Sequence, residues 1–594
     1  MDKHPLDYPW DFEDLFMQTR RFLKRREELC QHSGTPQQAR VQIIGGYTTD
    51  ILENWIHIFA AYYGVELTLD TSDWGAAFSL AGNVNSLDQV DMILCLNDHR
   101  DLIIAGKRNH SVIGSDLVMS QISDLITRCG DHGVAISMTD FCIPQAGPPS
   151  GGQQASIAQV ASDLNMFLQQ QAQKHPLLNV LSLNQFSALS EEPLTATLRN
   201  WYQFGHTLSV AGSIVMAQAV ARHLAFLKGL GKKALVVDLD NTLWGGVIGD
   251  DGVEGIELGQ ETPRGRIFSD IQSHLLRLKE RGVLLAIASK NNEDIAREAF
   301  DHPSSILKWS DFSVHKANWE PKSSNIKDIA NHLNIGLDSL VFIDDNPAER
   351  AEVRTHLPMV TIPDCGENPE DQLAALLMLD PFSQNTPLTK EDLLRNNSFQ
   401  DNSKREQLMK DTADPTLFLK KIGTTVHVSP PESHEYARCL QLTNKTNQFN
   451  LTGHRLTQQE FNQIIADPLQ DIFVARISDT FGDYGLTGVM YIQRKGSHAH
   501  INNWLMSCRV FSKTAEHAMF KAVATFLQDK GITSFSAEFI PLAKNRKFMY
   551  LLSDLGFSQI EDDKNNTDEP MAFELEHHVS QTLSAITHYC EIIV

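Results

Sequence analysis

The sequence predicts an α/β protein built of three units in succession. Apolar runs with the length of buried strands alternate with helical patterns between residues 40 and 350, which is typical of parallel sheets covered by helices. Three of these runs, at 236–239, 284–288 and 340–343, end in or just before a carboxylate or a hydroxyl. Residues 471–507 instead alternate apolar and polar side chains, as antiparallel strands do. A chain of 594 residues has the length of about three or four domains.

Composition restricts the class of protein further. Hydrophobic residues make up 42% of the chain and charged residues 21%, which is ordinary for a globular protein. Because no apolar run reaches about 18 residues and no secretory signal stands near Met1, we expect a soluble, cytoplasmic protein that spans no membrane. The net charge of −23 argues against nucleic-acid binding over a broad face. The 8 cysteines are scattered without a CxxC pattern, which indicates reduced thiols rather than disulfides or a zinc site.

The N-terminal part is predicted as a charged helical lead-in over residues 1–35 and a first domain over 36–228. A long helix with apolar periodicity is predicted at 209–227. Three buried strands are predicted in the first domain, near 40–44, 91–96 and 133–138. Their alternation with helical pattern indicates a parallel sheet.

This first domain resembles an SGNH hydrolase that has lost its catalytic residues. That family carries its nucleophilic serine in the glycine-rich turn after the first strand, where this sequence has Gly45, Gly46, Tyr47 and Thr48. His206 resembles the family's catalytic histidine, but it is one place out of register and lacks the accompanying aspartate. We therefore predict a non-catalytic domain that is structural or docks a partner.

Residues 229–380 form the second predicted domain, whose strongest signal is Asp238-x-Asp240-x-Thr242 after an apolar strand. Aspartates at i and i+2 point to the same side of a strand or of the loop that leaves it. Two carboxylates so close repel each other unless a cation lies between them, and Mg²⁺ is the usual cation. An isolated pair of this kind is also often a turn or a helix cap, so the assignment depends on the rest of the site.

The remaining groups of a phosphoryl-transfer site follow in order along the chain. Ser289 ends a second apolar run and offers a hydrogen bond to a phosphoryl oxygen. Lys322 supplies a cation, and Asp344 and Asp345 end a third apolar run. A nucleophile, a phosphate donor, a lysine and a metal carboxylate are the groups that in-line phosphoryl transfer needs. Strand ends that meet at one edge of an open α/β sheet are also a usual place for such a site.

The arrangement is similar to that of the haloacid-dehalogenase (HAD) phosphotransferases. The resemblance implies that Asp238 attacks phosphorus, that Asp240 works as acid and base, and that Mg²⁺ is the cofactor. Asp344 is preferred over Asp345 as a metal ligand because it lies nearer the strand end. The implied site residues are Thr242, Ser289 and Lys322 for phosphate and Asp238, Asp240, Asp344 and Asp345 for the metal.

The spacing leaves no room for a cap domain over this site. Between Asp238 and Ser289 the chain must form a flap and one helix, the latter predicted at 263–281. Between Ser289 and Lys322 it must form a helix and a strand. Because no lid encloses a small substrate, we expect an open site that accepts a bulky or protein-borne one.

The C-terminal part is predicted as a polar connecting segment over 381–424, a third domain over 425–575 and a tail over 576–594. The asparagine-rich stretch 443–451 is predicted from its composition to be a loop. Strands are predicted at 471–477, 488–493, 499–507 and 534–540, and helices at 513–530 and 547–555. This order, which closes on Leu-Gly-Phe, resembles the GNAT acyltransferase fold.

Taken together, the three domains resemble the FkbH-like family, HAD-type proteins that load glyceryl units for polyketide pathways. The resemblance covers about residues 36–575 and rests on the motifs at 238–249, 318–322, 342–347, 444–451, 481–485 and 504–510. It implies transfer of a glyceryl unit from 1,3-bisphosphoglycerate to the phosphopantetheine arm of an acyl carrier protein, with loss of phosphate. The thiol that would carry the acyl group is Cys508, at the end of a predicted strand and just before a helix start that would lower its pKa.

Other interpretations also fit these residues. Cys508 is alternatively a buried structural cysteine, and His498, His500 and His517 are either bases for it or ordinary surface. Residues 511–514 stand where a Gly-Arg-Gly-like turn is expected, and the missing glycines argue against acetyl-CoA binding. The protein is alternatively a phosphatase or acyl loader for another phosphorylated acid, or a carrier-docking scaffold with a vestigial site.

An acidic carrier protein would need a basic patch on this acidic chain. Candidate basic side chains, which are otherwise solvated surface, are Arg395, Lys404, Arg405 and the group Lys544, Arg546 and Lys547.

Overall fold

The computed structural model describes residues 4–32, 36–71, 90–102, 115–142, 157–366, 368–382, 414–446, 449–507, 513–542, 545–560, 570–575 and 579–594, and the positions 87, 408, 412, 510 and 511. Three separate β-sheets lie in this part of the chain. The predicted α/β class with three successive units is therefore confirmed.

The first sheet lies in the N-terminal unit and is parallel throughout. Its strands are β1 (Gln37–Gly45), β2 (Val65–Thr71), β3 (Met92–Leu96), β4 (Ala135–Thr139) and β5 (Leu178–Leu181). The helices are α1 (Phe12–Lys24), α2 (Arg26–His32), α3 (Asp50–Tyr62), α4 (Ser115–His132), α5 (Ile157–Lys174), α6 (Leu183–Leu189), α7 (Leu198–Phe204) and α8 (Val210–Leu227). The strand order is β2-β1-β3-β4-β5. Strands β3 and β4 are buried along their whole length, as helix-covered parallel strands are.

Helix α8 is the main core helix of this unit. Among the described residues it is the one helix long and apolar enough to cross a membrane, but 78% of it is buried inside the protein. It packs against α3. Leu6, Trp10 and Leu15 from the predicted lead-in belong to the same apolar core. The lead-in is therefore packed onto the first unit rather than extended from it.

The second sheet lies in the central unit and is also parallel. Its strands are β6 (Ala234–Val237), β7 (Leu284–Ser289), β8 (Val314–Ala317) and β9 (Leu340–Ile343). The helices are α9 (Ile248–Gly255), α10 (Pro263–Glu280), α11 (Glu293–Glu298), α12 (Lys322–Leu333), α13 (Pro347–His356) and α14 (Pro369–Leu379). The order β8-β7-β6-β9 places β6 between β7 and β9. The residues that follow these three strands consequently meet at one edge of the sheet.

The expected absence of a cap domain is confirmed for residues 238–322, all of which the structure describes. A flap that contains α9, and then α10, lie between Asp238 and Ser289. Helix α10 begins at Pro263, and Thr262 caps it by accepting a hydrogen bond from the amide of Gly265. Helix α11 and strand β8, with two short 3₁₀ turns, lie between Ser289 and Lys322. No further folded element covers the sheet edge in this stretch.

The third sheet is mixed and lies in the C-terminal unit. Its strands are β10 (Thr425–Ser429), β11 (Phe449–Asn450), β12 (Gln470–Asp479), β13 (Gly482–Lys495), β14 (His498–Met506), β15 (Ser534–Phe539), β16 (Ser558–Gln559), β17 (Met571–Leu575) and β18 (Glu591–Ile593). The helices are α15 (Pro415–Lys421), α16 (Tyr436–Lys445), α17 (Gln458–Ala466), α18 (Ala515–Gln528), α19 (Leu551–Asp554) and α20 (Val579–Ala585). The order is β16-β17-β15-β14-β13-β12-β10-β18, with β11 beside β14. Antiparallel strands followed by a parallel β14-α18-β15 crossover form the predicted GNAT-like arrangement.

Several elements differ from the prediction. The asparagine-rich stretch is not simply a loop, because α16 continues to Lys445 and β11 pairs with β14. The predicted tail contains β18, which pairs with β10 and so belongs to the third sheet. The predicted helix at 547–555 is reduced to a 3₁₀ turn and the four residues of α19. Strands β2 and β5 were not predicted, and β2 is a half-exposed edge strand with polar side chains.

Candidate active site

The turn after β6, called the nucleophile turn after the predicted nucleophile Asp238, begins at this residue, which is 6% exposed. The chain reverses at Asn241, whose backbone is left-handed with a φ of 54°. The amides of Thr242 and Leu243 both donate to the carbonyl of Leu239, at 3.1 and 2.8 Å, and close the turn. Asparagine tolerates the left-handed conformation better than most residues. The turn therefore favours asparagine at position 241.

Lys322 is the first residue of α12 and is 3% exposed. Its Nζ lies 3.0 Å from Oδ1 of Asp238 and also pairs with Oδ2 of Asp344. Burial alone would lower the pKa of Lys322, but the two carboxylates outweigh burial and raise it. The lysine is therefore charged, and it joins the residue after β6 to the residue after β9.

Asp238, Asp344 and Asp345 form a group of carboxylates at this edge of the sheet. One oxygen from each lies within 4.8 Å of the others. Burial raises the pKa of Asp344 to about 7 and that of Asp345 to about 6, and repulsion from Asp238 adds to both shifts, while Lys322 opposes them. Carboxylate oxygens at this spacing are the ligands that a hard divalent cation prefers. Since Asp344 and Asp345 both offer an oxygen, the preference for Asp344 stays a prediction.

The structure does not bring the carboxylate of Asp240 into this group. Its Oδ1 accepts hydrogen bonds from Nε1 of Trp244 at 2.9 Å and from the amide of Ile248 at 3.0 Å. Its Oδ2 accepts from Nδ2 of Asn291 at 3.0 Å. Burial raises the pKa of Asp240, these hydrogen bonds to Ile248 and Trp244 lower it, and repulsion from Asp238 adds to the net rise. The predicted roles of Asp240 as acid and base and as a metal ligand stay predictions.

The two predicted hydroxyls both lie at the site edge. Ser289 is the last residue of β7 and is 2% exposed. Thr242 is fully buried, and its Oγ1 accepts a hydrogen bond from the amide of Asp345 at 3.3 Å. This bond ties the nucleophile turn to the end of β9. The phosphate-binding roles of the two hydroxyls stay predictions.

Two further residues support the site and were missed in the sequence. Arg350 on α13 is 3% exposed and donates to the carbonyls of Asp344 and Asp345 at 2.7 and 2.8 Å. It also pairs with Asp364 at 2.9 Å, so it holds the end of β9 in place. Asn291 holds Asp240, as described above. A polar residue two places after the Ser289 strand end was a usable signal for Asn291, whereas Arg350 resembles an ordinary surface charge on a helix.

In the first unit, Thr48 and His206 lie where an SGNH hydrolase would carry catalytic residues, and both contact neighbouring parts of the fold. The hydroxyl of Thr48 donates to the carbonyl of Phe204 at 2.8 Å. Nδ1 of His206 lies 3.7 Å from a carboxylate oxygen of Asp50, which is too long for a hydrogen bond. The non-catalytic role of this unit stays a prediction.

In the third unit, the gap beyond the paired part of β14 and β15 is bridged by the chain itself. These two strands pair from His498 to Ile501 and separate further along. Strand β11 pairs with β14 there, and the amide of Leu451 donates to the carbonyl of Trp504 at 3.0 Å. On the other side, the amide of Ile540 donates to the carbonyl of Leu451 at 2.9 Å. Residues 449–451 therefore hydrogen-bond to the chain on both sides of the gap.

The remaining predicted groups are partly outside the described residues. Cys508 lies outside them, two places after the end of β14. Arg395, Lys404, Arg405 and Lys544 also lie outside them.

The predicted histidines His498, His500 and His517 and the predicted Lys547 lie within the described residues. Nε2 of His498 and Nδ1 of His500 each lie 2.7 Å from the hydroxyl of Ser536. Lys547 lies over the rings of Phe511 and Phe548, at 4.7 and 5.2 Å from their centroids. Nδ1 of His517 lies 3.5 Å from a carboxylate oxygen of the neighbouring Glu516. Each of these side chains is thus held against its immediate neighbours.

Comparison with solved structures agrees with the parallel α/β fold described for the central unit. The chain is similar to the N-terminal part of the protein BF1531 from Bacteroides fragilis, a crystal structure that contains a phosphatase domain complexed with Mg. The identity is 29% and the TM-score 0.54, over 61% of this chain and 99% of that chain. No protein-family model matches the chain. No curated protein matches it either.

Solved structures similar to the chain also include the ribosomal-protein-S18-alanine N-acetyltransferase from Escherichia coli, at 13% identity and a TM-score of 0.21 over 25% of this chain and 93% of that chain. The GNAT domain of S. lividans PAT is similar at 14% identity and a TM-score of 0.21, over 25% of this chain and 88% of that chain. The assignment of the third sheet rests on its strand order.

The central unit has a Rossmann-like parallel sheet, and the chain is similar to a solved structure that contains a phosphatase domain. The central unit stands between a parallel α/β unit and a GNAT-like unit in one chain.

Proposed function

We propose that this chain is a Mg²⁺-dependent phosphatase of the HAD type that works together with acyl transfer to a carrier protein. The observation that carries the phosphatase part is the position of Lys322, 3.0 Å from Asp238 and paired with Asp344. Asp345 completes the group of three acids. A buried lysine among converging carboxylates is the charge arrangement that binds a phosphoryl group and a metal together.

The donor set fits Mg²⁺. Asp238, Asp344 and Asp345 offer only hard oxygen ligands, and their mutual repulsion favours a cation between them. The phosphatase domain of BF1531 was crystallised with Mg. When bound, Mg²⁺ would neutralise charge on the carboxylates and on the phosphoryl oxygens.

The residues of this chain divide the phosphatase reaction between them. A carboxylate oxygen of Asp238 attacks phosphorus, and the bond from phosphorus to the leaving oxygen breaks. Asp240, whose raised pKa lets it hold a proton, gives that proton to the leaving oxygen. Water then attacks the phosphoaspartate and gives its proton to Asp240, which releases inorganic phosphate and restores Asp238. Lys322 and Ser289 hold the phosphoryl oxygens during both steps.

The finer proposal follows the resemblance to FkbH-like proteins. The thiolate of Cys508 attacks the acyl carbon of 1,3-bisphosphoglycerate, and the carbon–oxygen bond to the acyl phosphate breaks. Asp238 removes the remaining phosphate ester. The thiol of the carrier's phosphopantetheine arm then takes the glyceryl group, and its proton passes to the sulfur of Cys508. The product is a glyceryl thioester for polyketide-type biosynthesis.

A second candidate is a phosphatase or acyl loader for another phosphorylated acid. It is favoured by the absence of a cap in residues 238–322, because a site without a lid has fewer contacts with which to select glycerate. A scaffold with a vestigial site is disfavoured, since every acid and the lysine of the site are in place. We also propose a cytoplasmic location for the protein.

Intact-mass measurement of the protein and a carrier tests the finer proposal. Both are incubated with 1,3-bisphosphoglycerate and Mg²⁺, and a glyceryl adduct is expected on the protein and then on the carrier. The protein adduct should be lost in Cys508→Ala and kept in Cys439→Ala, a buried cysteine of the same unit. An adduct that persists in Cys508→Ala would refute Cys508 as the residue that carries the acyl group. No adduct on either protein would favour the second candidate, a different phosphorylated acid as substrate.

A further inference from the structure

Trp319 is unusual among the tryptophans of the described part of the chain. It lies in the loop between β8 and α12, and 71% of its surface is exposed. The other described tryptophans are buried or half-buried. An indole buries much apolar surface when it packs against another group, and tryptophan is enriched at binding surfaces.

The indole is fixed in place although it is exposed. Its Nε1 donates to Oδ1 of Asn292 at 3.1 Å. The preceding residue, Asn318, donates from its amide to the carbonyl of Ser289 at 3.0 Å, and its side chain exchanges two hydrogen bonds with that of Asn325. Trp319 is thus held from both sides in an orientation that does not bury it, and this lowers the entropy cost of binding a ligand against it.

Trp319 lies close to the reacting groups. It is three residues before Lys322, so about 10 Å is the longest distance between their Cα atoms. Its hydrogen-bond partner Asn292 is the neighbour of Asn291, which holds Oδ2 of Asp240. The loop that positions the proton-transferring carboxylate therefore also positions the indole.

The other carboxylate oxygen of Asp240 is also held by a residue next to an exposed apolar side chain. Its Oδ1 accepts from the amide of Ile248, and the preceding residue, Val247, is exposed to 40% on the flap. Asp240 thus stands between two loops that each present an exposed apolar side chain. In the proposed mechanism Asp240 gives its proton to the leaving oxygen, so the organic group that carries this oxygen would lie next to Asp240 and near the loops that hold it.

We propose that Trp319 is a specificity-determining residue, and that the organic part of the phosphorylated substrate lies against its indole. The inference rests on the proposed phosphatase function. The ligand class is a phosphate ester whose organic group presents a flat or apolar face next to the ester oxygen. Inorganic phosphate, which has no organic part, does not reach Trp319.

The test uses the full chain with Mg²⁺ and p-nitrophenyl phosphate, whose ring serves as the organic group. Trp319→Ala should raise KM about tenfold and leave kcat nearly unchanged, and Trp319→Phe should keep most of the affinity. The inhibition constant of inorganic phosphate should be the same in all three proteins. Tyr202→Ala, which removes an aromatic side chain exposed to 82% on α7, is the matched control and should behave as the wild type.

Two outcomes would overturn the proposal. One is an unchanged KM in Trp319→Ala. The other is an equal weakening of p-nitrophenyl phosphate and inorganic phosphate, which would mean that Trp319 only shapes the phosphate site. Calorimetric binding of phenylphosphonate separates this proposal from the phosphatase function, because it needs no turnover. If the wild type binds phenylphosphonate but releases no phosphate from esters, the phosphatase proposal fails, and equal binding by Trp319→Ala would refute the role of Trp319.

Discussion

Nζ of Lys322 lies 3.0 Å from Oδ1 of Asp238, and both side chains are almost completely buried. The same nitrogen pairs with Asp344, so one cation holds together residues that follow two neighbouring strands. Buried charges are costly unless they are paired. The pairing gives both carboxylates a buried cationic partner at the edge of the sheet where the site is proposed.

Replacement of the nucleophile should separate activity from folding. Asp238→Asn is expected to lower phosphate release by about a thousandfold or more, because the amide does not attack phosphorus. The side chain keeps its size, so the thermal unfolding midpoint should change little. Phosphate release from p-nitrophenyl phosphate, measured together with thermal unfolding, checks both expectations. Unchanged release would refute Asp238 as the nucleophile.

Removal of the buried cation should instead destabilise the fold. Lys322→Met leaves Asp238 and Asp344 without their shared partner, and we expect a loss of about 3–5 kcal/mol in the free energy of unfolding. Adding Asp344→Asn to that variant should restore part of the loss, because it removes one of the unpaired charges. Urea denaturation of the two variants is the measurement. An equally unstable double variant would contradict this account of the pairing.

The pH dependence of the effect of Mg²⁺ follows from the raised pKa values of Asp344, about 7, and Asp345, about 6. A carboxyl whose pKa is raised by folding contributes stability at low pH, and that stability is lost as the pH rises through the raised value. The metal-free protein should therefore lose stability from this site between about pH 4 and pH 7. Mg²⁺ binds the ionised form, so its stabilising effect should be larger at about pH 8 than at about pH 5.5.

Thermal unfolding with and without MgCl₂ across this pH range measures the effect. Asp345→Asn should flatten the dependence. A stabilisation by Mg²⁺ that is the same at both ends of the range in the wild type would contradict a cation site at these carboxylates.

Arg350 should act through the backbone of the site. Arg350→Ala removes hydrogen bonds to the carbonyls of Asp344, Asp345 and Gly366, and we expect a loss of roughly 2–3 kcal/mol in the free energy of unfolding. Arg350→Lys should recover little, because an ammonium does not reproduce the planar geometry of the guanidinium. The concentration of Mg²⁺ needed for half-maximal phosphate release should rise in both variants. If Arg350→Lys restores both the stability and the Mg²⁺ requirement of the wild type, Arg350 contributes only its positive charge.

The third unit should not bind coenzyme A between β14 and β15. Residues 449–451 already hydrogen-bond to the chain on both sides of the gap, and a ligand chain would have to displace these bonds. Calorimetric titration with acetyl-CoA is expected to give no heat of binding at millimolar concentrations. Measurable binding of acetyl-CoA would contradict this prediction and would favour an acetyltransferase function for this unit.

The sequence predicted those site residues that lie directly at the ends of strands. Asp238, Ser289 and Asp344 come directly after apolar runs, so their convergence followed from the geometry of a parallel sheet. The orientation of Asp240 did not follow, because its partners Ile248 and Asn291 lie on the flap and after β7, 8 and 51 residues away. Arg350 was missed because a buried arginine on a helix has no local pattern that separates it from surface charge.

The third unit was less predictable for a related physical reason. Strand β11 is two residues long and lies in an asparagine-rich stretch, and only its pairing with β14, across more than fifty residues, defines it. Strand β18 is three residues long and is also defined by its pairing, here with β10. Pairings of this kind depend on distant contacts rather than on local propensity.

The bond between Thr242 and Asp345 joins residues 103 positions apart, and this separation has a consequence for refolding. The nucleophile turn follows β6, but the acids and the lysine that complete the site arrive only with α12 and β9. A long segment must therefore be ordered before the contacts that stabilise the site can form. Recovery of phosphatase activity after denaturation should consequently lag behind the recovery of helical signal. The time at which activity returns would report when the central sheet is complete.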